Sequence, residues 1–294
     1  MSTKDNWNDG HSAFPDSEKR INKPNAAGYE NNHVEMTLTS ACPMMCSYCP
    51  QSNYIKSYKS LKPSGKDMSF EDYKIILKNI DIIGYIAFTG FTEPIRNKNW
   101  YEMIKYTIDE GYRAVLNTTL FKATSQDIDK MVSLEIPINI HITDSKQDIP
   151  IETYEEFIKK YKGRISINYF SEKGHDTAKK LSSSAYKPRL HDRGGNVSSD
   201  NAPQTQVIKG PVTCSTKRQY SNVVVPNGDV SVCCSDFGLE HVLGNLLTTK
   251  LSEIHKSKKM QKFNNKMLEG DEEFICNKCW YADKAWQSPK TRGL

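Results

Sequence analysis

From residue 33 onward, short runs of β-branched and aromatic residues alternate with stretches whose apolar positions recur every three to four residues. That alternation is the signature of strands and amphipathic helices wound around a parallel sheet. Residues 33–39 predict a first strand. Residues 69–80 predict a helix, because Ser69 and Asp72 suit a capping box and Phe70, Tyr73, Ile76, Leu77 and Ile80 fall on one face. A second strand over 85–89 runs into the turn Gly90-Phe91-Thr92-Glu93-Pro94, after which Trp100, Met103, Ile104 and Ile108 line a helix stopped by Gly111. The unit then repeats. Strands are predicted at 113–117, 138–142 and 165–169, with helices at 125–132 and 154–161, and a sixth unit is weakly patterned, with a helix-compatible piece at 176–183.

The pattern changes twice. Residues 1–32 are polar, carry Pro15 and Pro24, and predict an arm without regular structure. The stretch 171–206 ends in a Ser-, Asn-, Gly- and Pro-rich connector that marks a domain boundary. Beyond it, 222–226 and 230–233 flank Asn227-Gly228, the sequence of a type I′ hairpin turn in which both central residues take positive φ. One more helix is predicted over 251–268. The expected organisation is an N-terminal arm (1–32), an α/β domain (33–206) and a small α+β module (207–294).

Composition narrows the function classes. Forty basic and 35 acidic residues give a net charge of +5, and the two signs are interspersed, which argues against a nucleic-acid footprint. The N-terminal segment lacks the apolar core of a secretory signal, and no apolar run approaches the roughly 20 residues that span a bilayer. A cytoplasmic protein is expected, in which eight cysteines are reduced thiols rather than a disulfide framework. Their grouping points to metal.

Cys42-x3-Cys46-x2-Cys49 places three thiols within eight residues, in a loop just past the first strand, on the face where barrel enzymes build their sites. Three protein ligands on a cubane leave one iron with an open position, able to act on a cosubstrate directly rather than only relay electrons. The spacing, with the aromatic Tyr48 before the third cysteine, resembles the motif of the radical S-adenosylmethionine (SAM) enzymes. The resemblance implies a partial (β/α)6 barrel, a [4Fe-4S] cluster whose open iron chelates SAM, and reductive cleavage to a 5′-deoxyadenosyl radical that abstracts hydrogen from a substrate. It also implies an electron donor such as flavodoxin or ferredoxin. A zinc knuckle or three incidental buried thiols is the alternative at this point.

The same resemblance assigns SAM contacts. Gly90, Thr92 and Glu93 occupy a Gly-rich, Glu-Pro-ending segment that meets the SAM ammonium in the family, although Thr92 stands where a second glycine is common. Tyr48, Asn117, Thr143 and Asp144 lie at or beyond strand ends on the same face, where amide, hydroxyl and carboxylate groups can bind ribose or carboxylate. Asn168 is a weaker candidate of the same kind. Arg189, His191, Asp192 and Arg193 lie near the domain junction, within reach of a substrate.

Four more cysteines, Cys214, Cys233, Cys276 and Cys279, fall in the C-terminal module, where the hairpin is expected to bring Cys214 and Cys233 together and the helix to return Cys276-x2-Cys279. This pattern resembles the auxiliary-cluster extension called SPASM, and more closely its truncated twitch form, since no cysteine follows Cys279. One auxiliary [4Fe-4S] cluster is implied. Cys234, next to Cys233, is expected to point to the other face of its strand. Tetrahedral zinc is the alternative for this module. A cluster closed by four cysteines cannot bind substrate by ligation and suits electron transfer, as in the family's aminocyclitol dehydrogenase. The expected activity is therefore oxidation of a small polyhydroxylated substrate. A peptide- or protein-modifying maturase, a redox-neutral epimerase or dehydratase, and a non-catalytic zinc or iron-sulfur scaffold are the rival readings.

Overall fold

A computed structural model describes residues 33–285 apart from 64, 83, 146, 148, 189 and 198–204. The polar arm, Arg189 and the last nine residues therefore lie outside the described part. Five parallel strands open the fold: β1 (His33–Met36), β2 (Tyr85–Phe88), β3 (Ala114–Thr118), β4 (Ile138–Ile142) and β5 (Ile165–Tyr169). They stand side by side in chain order, β1 against β2 through β4 against β5. The helices are α1 (Gln51–Ser60), α2 (Phe70–Asn79), α3 (Trp100–Asp109), α4 (Ser125–Ser133), α5 (Ile151–Lys160) and α6 (Glu172–Leu181). The predicted capping at Ser69 is present: its hydroxyl accepts the Asp72 N–H at 3.0 Å, a cap worth about 1 kcal/mol.

Alternation along the strands divides the sheet into two faces. Val34, Met36, Ile86, Phe88, Ala114, Leu116, Ile138, Ile140 and Ile142 enter the main core together with Tyr73, Ile76, Met103, Ile128 and Phe157 from the helices. Residues of opposite parity line the other, concave face. They include His33, Glu35, Tyr85, Asn117, Asn139, His141 and Asn168, all but His141 buried. An interior this polar is unusual for a core and positions the site.

The sixth strand shrinks to one parallel bridge between Asn168 and Tyr186, fastened by the Tyr169 N–H on the Tyr186 carbonyl at 3.1 Å. A serine run precedes it and Pro188 follows two residues on, so the backbone lacks both the side chains and the donor a longer ladder needs. The sheet instead grows from its other edge. β7 (Val223–Val224) pairs parallel with β1, and β8 (Asp229–Ser231) and β9 (Val242–Asn245) follow antiparallel, giving eight strands in the order β5-β4-β3-β2-β1-β7-β8-β9. A separate ribbon pairs β6 (Val212–Cys214) with β10 (Ala282–Lys284).

Three local expectations change. Gly228 takes φ +84° but Asn227 keeps a negative φ. The Gly228 N–H reaches the Val225 carbonyl at 2.8 Å, so Pro226 and Asn227 form the centre of an ordinary turn followed by a left-handed glycine. Pro226 fixes φ near −65° and favours that geometry over type I′. The predicted C-terminal helix splits into α7 (Leu251–Lys256) and α8 (Lys258–Glu269), because Ser257 is extended and caps α8 through the Met260 N–H. Helix α1 is an addition, since in Gln51–Ser60 only Tyr54, Ile55 and Tyr58 are apolar.

Candidate active site: two sets of thiols

Cys42, Cys46 and Cys49 sit in a loop at the carboxyl end of β1, where chain direction alone places them among the β2, β3 and β4 loops. The β4 loop clamps them. Asp144 accepts the Ser47 N–H at 3.1 Å and also the Ser47 hydroxyl. The Ser145 hydroxyl donates to the Met44 carbonyl, and the Thr143 hydroxyl bonds the Cys46 sulfur. Tyr48 stacks on Phe170 at 5.0 Å, and Phe170 meets His141 edge-on at 5.1 Å. Burial pushes the Cys42 thiol up to about 11 and the Cys49 thiol to about 12; Cys42 also feels Cys46, and Cys49 feels both Cys46 and Cys42.

The segment 90–94 locks the β2 end over β1 and β3. Gly90 takes φ +65°, and a Cβ there would lie 2.0 Å from Thr37 Oγ1, so only glycine fits. The Phe91 N–H donates to Thr37 Oγ1 at 3.0 Å. Thr92 keeps a negative φ, and its hydroxyl reaches the Thr39 carbonyl at 3.1 Å. The threonine therefore replaces the usual glycine without strain. Glu93 is 3% exposed and accepts from Thr118 Oγ1 at 2.6 Å, Thr119 N–H at 2.7 Å and Thr119 Oγ1 at 2.6 Å. Burial raises its pKa while those donors oppose the rise, and its charge in turn bears on Cys42.

Among the SAM-contact candidates, Tyr48, Gly90, Thr92, Glu93, Thr143 and Asp144 thus gather around the cysteine loop. Asn117 lies lower, on the concave face, where its Oδ1 accepts Asn139 Nδ2 at 2.6 Å. The sequence reading missed Asn139 and His141, which belong to the same interior face. Only the alternation of Ile138, Ile140 and Ile142 with these two polar residues signals them. Arg193, reached along the connector, brings a positive charge close to both the cysteine loop and the inner face of the sheet. It bears electrostatically on Cys49, Cys234, His141 and His191, and with burial holds His141 down to about 4 and His191 to about 3. Arg193 itself takes φ +53°, followed by Gly194 and Gly195 at +67° and +85°. Such a left-handed run is strained at its non-glycine member and typical of a functional turn.

The second set closes on itself. Cys214, Cys233, Cys276 and Cys279 line a single cavity whose walls are mostly apolar, with Phe263, Met267 and Ala282 among them. The hairpin delivers Cys233, whereas Cys214 is held by the ribbon, in register with Ala282. Asn277, wholly buried, ties the Cys276–Cys279 loop down through Nδ2 to the carbonyls of Ile208 and Gly210 at 2.7 and 2.9 Å. Cys234 points away, as alternation predicts, into a cluster with Tyr54, Tyr58, Phe91, Val223 and Phe237 that also touches Cys49.

Both sets fit a thiolate-bound iron-sulfur group. Burial raises the thiol of Cys233 well above its usual value and that of Cys279 to about 11, so ionised sulfurs there need a cationic partner. Among the described residues, no three His, Cys, Asp or Glu side chains converge to hold a single metal ion. The four sulfurs line one cavity with mostly apolar walls, a donor set of the kind that holds an iron-sulfur cluster.

The comparisons with known proteins agree with this geometry. Residues 214–280 match the SPASM family, an iron-sulfur cluster-binding domain. The chain is 25% identical over 253 residues to the S-adenosyl-L-methionine-dependent 2-deoxy-scyllo-inosamine dehydrogenase of Niallia circulans, covering 84% of this chain and 91% of the relative. Among solved structures, BtrN in complex with AdoMet and 2-DOIA superposes with a TM-score of 0.56 at 20% identity, covering 86% of this chain and 93% of BtrN. Native anSMEcpe with bound AdoMet gives 0.53 at 16% identity, covering 85% and 86%. The α/β fold with its parallel sheet is common to this chain and the two solved structures.

Proposed function

We propose, from the premise that this chain is a radical SAM enzyme with a C-terminal SPASM-type domain, that it oxidises a secondary alcohol of a small polyhydroxylated substrate of the aminocyclitol or sugar class. The observation that carries the reading is the second thiol set: four cysteines around one cavity leave no open position for a substrate. The relative from Niallia circulans, a dehydrogenase of an aminocyclitol, supports it.

Cys42, Cys46 and Cys49 would hold one [4Fe-4S] cluster, and Cys214, Cys233, Cys276 and Cys279 the other. Bound there, the first would supply, together with SAM, the hydrogen-abstracting radical chemistry, and the second an acceptor for one electron. The chain's own residues do the rest. Gly90, Thr92 and Glu93 shape the SAM-facing loop, Thr143 and Asp144 hold the cysteine loop against the β4 end, and Tyr48 holds it against Phe170 past β5. Asn117, Asn139 and His141, on the polar face of the sheet, and Arg193, whose charge reaches His141, would meet the substrate. Held low by burial and by Arg193, His141 is neutral at physiological pH, so its ring can both accept and donate a hydrogen bond to a polyol. Arg193 supplies N–H donors for hydroxyl or developing carbonyl oxygen.

The setting belongs to the same reading. None of the eight cysteines is joined in a disulfide, in keeping with a reducing cytoplasm and an external one-electron donor of flavodoxin or ferredoxin type. Among the described residues no helix is long and apolar enough to cross a membrane.

The deciding experiment incubates the anaerobically reconstituted protein with SAM, dithionite and 2-deoxy-scyllo-inosamine, then a panel of aminocyclitols and sugars. A ketone formed in step with 5′-deoxyadenosine is expected. An epimer or a dehydrated product, with no net oxidation, would refute the dehydrogenase reading. Acceleration by a peptide alone would favour a maturase.

A further inference from the structure

Arg218 joins the two thiol sites. It lies four residues after Cys214, at the start of a 3-10 turn spanning Arg218–Tyr220. Its backbone N–H donates to the Cys214 sulfur at 3.3 Å. Its guanidinium stacks over the Tyr281 ring with 4.4 Å to the centroid, while Nη1 reaches the Cys234 sulfur at 3.5 Å. Tyr281 in turn donates its backbone N–H to the Cys279 sulfur at 3.4 Å. One residue thus lines the auxiliary cavity, bonds one of its thiols, and extends its charge to the buried Cys234, which shares an apolar cluster with Cys49 of the first site.

A full positive charge here has a definite physical effect. Accepting an electron makes a thiolate-bound cluster more negative, so a neighbouring cation and N–H donors to its sulfurs favour the reduced state. Low dielectric in a buried, apolar-walled cavity strengthens that effect. Arg is suited to the task because it stays charged when desolvated and lies flat on an aromatic ring.

We propose that Arg218 is a positioning residue for redox chemistry: from the wall of the auxiliary cavity, and through Cys214 and Tyr281, it raises the reduction potential of the auxiliary cluster and makes that site the acceptor of the substrate's electron. The proposal rests on the reading that the four C-terminal cysteines hold one cluster. Oxidation of the alcohol transfers a hydrogen atom to the SAM-derived radical, giving 5′-deoxyadenosine, then one electron to the auxiliary site and one proton to solvent water. A carbonyl forms as the O–H and C–H bonds break, and two electrons leave the substrate in all.

The test is a potentiometric titration of the reconstituted full chain followed by electron paramagnetic resonance, with iron and sulfide counted in each sample. In Arg218→Met the midpoint of the auxiliary signal falls while that of the SAM-binding cluster stays put, and Arg218→Lys, which keeps the charge, recovers most of the difference. An unmoved auxiliary midpoint in Arg218→Met at full iron content overturns the proposal. So does an equal fall in Arg218→Lys, which would trace the effect to packing; if the Met variant loads poorly, Arg218→Lys against wild type carries the test, a large fall again overturning it. Loss of the underlying reading looks different: wild-type protein would then carry about four irons rather than about eight.

Discussion

The two thiol sets are built in opposite ways. Each contains a Cys-x2-Cys turn closed by the same backbone bond, the Cys49 N–H to the Cys46 carbonyl at 3.1 Å and the Cys279 N–H to the Cys276 carbonyl at 3.2 Å. Around that shared turn the surroundings diverge. The first set has three cysteines on one loop, held by side chains of the β4 end 97 and 101 residues away along the chain. The second draws its four from three segments and holds them by strand pairing and by one buried asparagine, Asn277. The single loop is fastened from outside, whereas the closed cavity is fastened by its own walls.

The largest expected effect separates the two directly. Cys42→Ala should abolish 5′-deoxyadenosine formation and lower iron from about eight to about four per chain. Cys276→Ala should cost the same four irons yet leave cleavage of SAM measurable, with oxidation of substrate lost. Iron and sulfide counts, with chromatography of both products, check the pair. Equal loss of SAM cleavage in both variants would mean that the sets are not independent.

Backbone strain at the first site gives the next effect. Gly90→Ala places a methyl 2.0 Å from Thr37 Oγ1 at φ +65°, and a non-glycine residue in that region costs about 1–3 kcal/mol before the clash is counted. Thermal unfolding should shift down by several degrees, with SAM binding weakened. Gly210 also has a positive φ, but a methyl group there would meet nothing within 4 Å. It should lose less on the same substitution, so the difference between the two variants measures the crowding alone.

How much of the molecule is legible in its sequence follows from the same contrast. Both cysteine patterns and the barrel strands announce themselves because spacing and period are local properties. Residues 138–142, with apolar and polar positions alternating, match their strand end to end. The clamps do not show. Nothing in the sequence near Asp144 says that its carboxylate is taken by Ser47, because the pairing depends on where β4 ends relative to β1. Asn139 and His141 escape for the same reason: they acquire a role only when β4 is set beside β3 and β5 with its polar positions on the inner face. The split at Ser257 and the turn at Pro226 differ from expectation because a strong short signal, helical period or Asn-Gly, outweighs the residue beside it.

Asp144 sharpens the comparison further. Asp144→Asn removes the charge that holds Ser47 while keeping most of the shape. A hydrogen bond to a charged group is worth about 1.5–3 kcal/mol when buried, less at this half-exposed loop. The first cluster should therefore assemble more slowly and be lost sooner on dilution into chelator, with SAM affinity changed only several-fold. A loss of SAM binding at full iron content would show that Asp144 is a cosubstrate contact rather than a clamp.

The smallest effect is expected at Cys234, and it tests the division between the sites most finely. Its thiol is 9% exposed and packs with Tyr54, Tyr58 and Phe91, on the side of the strand away from the auxiliary cavity. Cys234→Ala removes one sulfur from an apolar cluster, which costs about 1 kcal/mol. It should leave iron and sulfide content unchanged. Cys233→Ala, one residue earlier and facing the cavity, should lose about four irons. Because the two substitutions are chemically identical and adjacent, any general fragility of the hairpin would affect both alike. Only the facing of each side chain can make one costly in iron and the other silent, so a Cys234→Ala protein short of iron would show that the cavity's fourth ligand had been assigned to the wrong face.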